Sequence, residues 1–216
     1  ACAPFRRLHL CHHNLETIDT TSKTASDTLL LEVCMAAKYE GDLIKTHYTE
    51  HQVTNPDTKS QICTELARSF ADIGDIVRGK DLFYGNTQEK DQRKKLDKKL
   101  KEIFEKIYNN LMKDVTSGKT NSAEAQKRYK DDDKKNFYQL REDWWTANRN
   151  DVWKAITCKA KEADKYFRKT ACNGGSPTKG YCRCNGDKPD ADVPNTDPPT
   201  YFDYVPQYLR WFEEWA

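Results

Sequence analysis

The stretch Asn136-Phe137-Tyr138-Gln139-Leu140-Arg141-Glu142-Asp143-Trp144-Trp145, running on through Trp153 and Ile156 to Cys158, decides the fold. It holds three of the five tryptophans, with Phe137 and Tyr138 beside them. At 3.6 residues per turn, Phe137, Leu140 and Trp144 share one helix face, and Val152, Ile156, Ala160, Ala163 and Phe167 share another. Each large aromatic buries about 150–250 Å², so the cluster is expected to seed a core for neighbouring helices. A ligand-binding aromatic box is the alternative use of so many rings, and the core is the preferred reading. Cys158 offers that core a covalent tie.

The segments around it read as helices too. Residues Glu89 to Met112 carry Leu96, Leu100, Ile103, Phe104, Ile107 and Leu111 on a single stripe. Before them, Asn55-Pro56 suits an N-cap and first helical position, opening a helix through Ile62, Leu66, Phe70, Ile73 and Val77 that Gly79 closes. Gly74 inside that helix costs about 1 kcal/mol against alanine unless close packing needs the space. From about Thr28 to Thr46 a further helix has Leu30, Val33, Cys34, Ala37 and Ile44 as inward candidates. Cys2 to Cys11 is a compact entry, and Asp114 to Ser122 is a break. Asn173 to Thr200 is a loop with four of the nine glycines and five of the eight prolines. Cys182 and Cys184 should pin its first half, leaving Lys188 to Thr200 mobile. Asp203 to Ala216 returns to an aromatic helix with Tyr208, Leu209, Phe212 and Trp215. There are no convincing strands, so the expected fold is all-α: a disulfide-braced bundle of long helices with irregular loops.

Composition narrows the function class. The chain has 216 residues, 37% hydrophobic and 32% charged, with a net charge of +2. That suits long amphipathic helices with wet outer faces and gives no global field for nucleic acid. Cys2, Cys11, Cys34, Cys63, Cys158, Cys172, Cys182 and Cys184 are even in number and lack paired CxxC spacing. They are expected to be disulfides formed in an oxidising compartment, in a pairing that spacing cannot choose. No apolar run approaches the roughly eighteen residues of a membrane span, so no direct membrane insertion is expected. Neither a signal peptide nor a glycosylation sequon is present, so signal and anchor are expected from a longer parent chain.

No catalytic constellation emerges. His47-x-x-Glu50-His51 has the order of an inverted zinc-protease signature, but no third protein ligand stands out. Cys158, Cys172, Cys182 and Cys184 lack zinc-finger spacing, and no histidine lies near them to activate a thiol. No enzyme, metal or cofactor is expected; a zinc hydrolase using His47, Glu50 and His51 is the remote alternative.

The basic signal is local. Between Lys90 and Lys101 seven cations face Asp91 and Asp97, a local +5 that leaves the rest of the chain at −3. On a helix, Lys90, Lys94, Lys98 and Lys101 fall within about 80°, away from the apolar stripe, with Lys95 and Lys99 flanking. Such a line of charge suits a sulfated polysaccharide; the bland alternative is a solvated face.

Four stretches carry a family likeness: Cys2-Ala-Pro-Phe-Arg-Arg-Leu-His-Leu-Cys11; Ala67-Arg-Ser-Phe-Ala-Asp-Ile-Gly-Asp-Ile-Val-Arg-Gly-Lys-Asp-Leu82; Leu140-Arg-Glu-Asp-Trp-Trp145 running on to Cys158; and Asp203-Tyr-Val-Pro-Gln-Tyr-Leu-Arg-Trp-Phe-Glu-Glu-Trp215. In these the chain resembles a Duffy-binding-like domain, above all the alpha class of the malaria parasite's variant erythrocyte membrane protein 1 family. The resemblance implies an adhesin on the extracellular face of the infected red-cell membrane, part of a longer membrane-anchored protein. It would bind host red-cell receptors or heparan-sulfate-like glycans, support rosetting and cytoadhesion, and vary antigenically. The alternative is a structural spacer whose neighbouring domain binds the receptor. Residues 1–216 would form a partial domain, with 1–60 a mixed first subdomain and 61–216 a helical second. The family carries further segments on both sides, and offers no universal receptor motif to transfer.

Overall fold

The computed structural model describes residues 2–54, 62–116, 125, 127–129 and 135–215. Its helices are α1 (Phe5–Leu8), α2 (His13–Glu16), α3 (Ala25–Thr54), α4 (Ile62–Arg78), α5 (Thr87–Thr116), α6 (Tyr138–Ile156) and α7 (Gln207–Trp215), with a 3₁₀ turn at Phe202–Tyr204. Among the described residues there are isolated bridges but no strands. The all-α, disulfide-braced reading holds.

Helix α4 lies at the centre. Fourteen of its seventeen residues are buried, so it meets protein on every side. Phe70 stands 5.1 Å from the Trp145 ring and 5.2 Å from Trp153, both on α6, while Trp144 meets Phe104 of α5 edge-on at 6.1 Å. Each indole N–H finds an acceptor: Trp144 donates to Ser26 Oγ, Trp145 to Asp203 Oδ2 and Trp153 to the Cys182 carbonyl. The aromatic stretch is therefore core, with Trp145 fully buried. Gly74 explains itself here, because a Cβ at that position would sit 2.7 Å from Trp145 Cζ2.

The ends of α4 and α5 follow local rules. Gly79, at φ +73°, closes α4 in a Schellman motif: its N–H donates to Ile76 O, and Lys80 N–H donates to Asp75 O. Helix α5 opens with a capping box in which Asn86 and Glu89 each accept the other's backbone N–H. Its stripe of Leu96, Leu100, Ile103 and Phe104 is buried as expected. Helix α3 is longer at both ends than the sequence reading, and Val33 and Ala37 face the core. Asn55-Pro56 and most of the Asp114–Ser122 break lie outside the described residues.

Two expectations need correction. The second face of the aromatic helix does not continue, because α6 ends at Ile156; Ala163 is exposed and Phe167 is 59% exposed. Arg183 closes the helix end by donating to Lys154 O at 2.7 Å, a carbonyl that another turn would have used, and it also donates to the Thr157 hydroxyl at 2.8 Å. The same guanidinium binds Asp187 and Asp192, and Asp187 accepts the Val193 N–H. The segment from Lys188 to Thr200, expected to hang loose, is thus tied down, and Thr196 and Thr200 are buried.

Four cysteines are bridged: Cys63 with Cys182, and Cys172 with Cys184. The first closes a loop of 119 residues and ties the start of α4 to the C-terminal loop, a constraint worth about 5 kcal/mol in the chain-entropy account. Cys11, Cys34 and Cys158 carry thiols here, against the expectation of full oxidation. Cys11 sits by Glu40 and Cys158 by Asp42, positions on roughly opposite sides of α3, while Cys34 lies two turns away.

Candidate binding surface

The four family-like stretches meet in space around the charged side of α4. Asp72 and Asp75 are buried, and a buried carboxylate must be paired. Arg210 of α7 binds both at 2.6 Å, Arg6 reaches Asp72 at 2.8 Å, and Arg78 reaches Asp75 at 2.8 Å. Burial pushes the Asp75 carboxyl up to about 6 despite Arg210 and Arg78. Burial also acts on Asp72, but Arg6 and Arg210 outweigh it and hold that carboxyl below its usual range. Asp203 accepts from Arg149 Nε and Nη2 at 2.8 Å and from Trp145 Nε1 at 2.9 Å. Asp81 takes Arg7, Arg93 and Gln207. This seam joins the entry segment, α4, α6 and the tail, and it is structural: its charges are consumed by one another. Sequence reading missed it. The available signal was two aspartates, Asp72 and Asp75, on a helix whose other buried positions before Arg78 are apolar or small.

The lysine helix is the outward counterpart. Lys90, Lys94, Lys95 and Lys98 are exposed, and Lys99 and Lys101 half-buried. Lys94 pairs with Asp91 at 3.3 Å, Lys98 with Glu102 at 4.0 Å and Lys101 with Asp97 at 3.0 Å. The first two are surface pairs that a polyanion can outbid, since each contributes at most about 1 kcal/mol. Lys95 and Lys99 turn to the other flank of α5 by helix geometry, Lys99 facing Asp19.

The zinc motif does not assemble among the described residues. His47 and Glu50 are about three-quarters exposed and meet only each other, at 3.6 Å. The side chain of His51 lies outside those described. No group of three histidine, cysteine or carboxylate side chains is placed to hold a metal among the described residues. No helix among them is long and apolar enough to cross a membrane.

A family model described as the Duffy binding domain matches residues 1–210. The NTS-DBL1(alpha-1) domain of Plasmodium falciparum membrane protein 1 (PfEMP1) from the varO strain is 43% identical, with a TM-score of 0.70, over 100% of this chain and 43% of that one. An ICAM-1-binding PfEMP1 DBLbeta domain is 32% identical at TM-score 0.64, over 99% of this chain and 42% of that one. Another DBLbeta domain, solved bound to human ICAM-1, is 29% identical at TM-score 0.59 over 97% and 38%. No curated protein sequence matches. The chain thus spans less than half the length of these structural relatives. With a family model covering nearly every residue and a fold shared along the whole chain, this protein belongs to the Duffy binding domain family.

Proposed function

We propose that this chain is the binding module of a red-cell-surface adhesin, engaging a host receptor or a sulfated glycan on red cells in cytoadhesion and rosetting. The observation that carries the reading is the likeness to PfEMP1 DBL1-alpha along the whole chain at 43% identity. The outward lysine face of α5 gives it chemistry, and two DBLbeta relatives are solved as ICAM-1 binders. A structural spacer is the competing reading, because this chain covers less than half of its relatives.

The glycan contact we propose is Lys90, Lys94, Lys98 and Lys101. A sulfated chain lying along α5 neutralises several of these at once and releases its counterions, so binding should fall steeply with salt. Substituting glutamate at Lys90, Lys94 and Lys98 leaves the buried stripe untouched. The expected result is unchanged helicity and melting temperature with heparin elution at much lower salt. Unchanged elution would reduce the strip to a solvated face.

A further inference from the structure

Between the C-terminal end of α4, the middle of α5 and the start of α6 lies a polar cavity of about 220 Å³. Its lining includes Arg7, Arg93, Lys101 and Arg141, facing only Asp81 and Asp97 as carboxylates. His12 also lines it, and burial lowers its proton affinity, so it adds no charge near neutrality. The cavity therefore holds a surplus of two positive charges.

Arg141 is the anomaly. It is 1% exposed, yet its Nε and Nη2 are buried without a hydrogen-bond partner, and the nearest carboxylate oxygen, Asp97 Oδ1, is 3.7 Å from Nη2. Both carboxylates of the cavity are committed. Asp81 is saturated by Arg7, Arg93 and Gln207, and Asp97 is held by Lys101 at 3.0 Å. The Phe104 ring covers Arg141 at 5.3 Å, which gives the cation a face but no acceptor. Gly79 makes the room: a Cβ there would sit 2.7 Å from Arg141 Nη1. A buried guanidinium with open donors is costly, and a fold that keeps one beside a polar cavity leaves a place for an anion.

From the open donors of Arg141 and the surplus charge around them, we infer that this cavity binds one small tetrahedral oxyanion, a sulfate or phosphate group. Arg141 forms its floor, and Arg93 and Lys101 stand at its mouth. Two charges on the ion match the two left over by the lining, and about seven water volumes of space accommodate it with residual solvent. Desolvation also lowers Arg141's hold on its own proton, which a bound anion would reverse. The site meets the lysine strip only at Lys101, takes one group, and does not need a polymer.

The test is thermal melting of the whole chain in sodium sulfate, and separately phosphate, against sodium chloride at equal ionic strength. A saturable rise in melting temperature specific to the oxyanions is expected. Arg141→Met should abolish it, and Arg93→Gln, a half-buried position that does not depend on the core, should weaken the apparent affinity about tenfold. A sulfated disaccharide that competes with the free ion assigns the group to a glycan, and one that does not assigns it to the free ion; either upholds the site. Lys90→Glu with Lys94→Glu and Lys98→Glu should leave the sulfate response intact even where heparin binding is lost, which separates this site from the glycan reading. No rise beyond chloride, or the same rise in both Arg141→Met and Arg93→Gln, overturns the inference.

Discussion

Asp203→Ala should be among the most damaging single changes in this chain. The carboxylate is 1% exposed and accepts three hydrogen bonds, two from Arg149 and one from Trp145. Its loss leaves the Arg149 guanidinium buried with only the Thr200 carbonyl as a strong partner, at 2.8 Å. Breaking a buried pair from one side costs about 3–5 kcal/mol, and the orphaned indole N–H adds about 1 kcal/mol. A total near 5 kcal/mol is a large share of the roughly 5–15 kcal/mol that holds a domain together. For a chain of this length it lowers the melting temperature by about 10–20 °C. Urea denaturation of Asp203→Ala, Arg149→Met and the double variant supplies the cycle. The double variant should be less destabilised than the two singles summed, because removing both charges leaves nothing uncompensated. A loss under about 1 kcal/mol in Asp203→Ala, or strict additivity, would refute the claim that this pair clamps the tail to α6.

Gly74→Ala gains about 1 kcal/mol of helix propensity but drives a methyl into Trp145, so urea melts should show a net loss of about 1–2 kcal/mol; a stabilised variant would contradict the packing. Asp75, raised from 3.8 to about 6, favours the folded state fully below its unfolded value and loses that contribution as pH rises through 6. Relative to Asp75→Asn, which cannot titrate, the wild type should therefore lose up to about 3 kcal/mol between pH 4 and 7, and a flat difference would sink the assignment. Burial, with Asp151 adding, pushes the Cys34 thiol up to about 12, and burial with Glu40 pushes Cys11 to about 11. Iodoacetamide at pH 7.5 should accordingly label both at least a hundredfold more slowly in the native protein than in urea, as mass spectrometry of the peptides would report.

The helices were legible where burial follows a simple period. The α5 stripe of Leu96, Leu100, Ile103 and Phe104, the core role of Trp144, Trp145 and Trp153, and the stop at Gly79 all follow from local pattern. What failed depended on partners far along the chain. Nothing near Ile156 announces that Arg183 will arrest α6, so Ala163 and Phe167 read as a continuing face. The same arginine secures the loop that composition marked as loose. Asp72, Asp75 and Asp203 drew no reading because Arg6, Arg210 and Arg149, which pair with them, lie 54 to 138 residues away. Cysteine number suggested bridges, but only distance decides which thiols can meet. The lysine strip was visible because exposure of a charged helix face needs no long-range partner, whereas the cavity around Arg141 required three helices and Gly79 to be placed first.

The adhesin reading stands or falls on binding of the folded, fluorescently labelled chain to uninfected red cells in flow cytometry. It predicts saturable binding that soluble heparin inhibits and that Lys90→Glu, Lys94→Glu and Lys98→Glu together reduce at least tenfold, with folding intact by circular dichroism. Absence of binding by the folded wild-type chain, where a fragment carrying its neighbouring domain does bind, would contradict it and leave this chain a spacer.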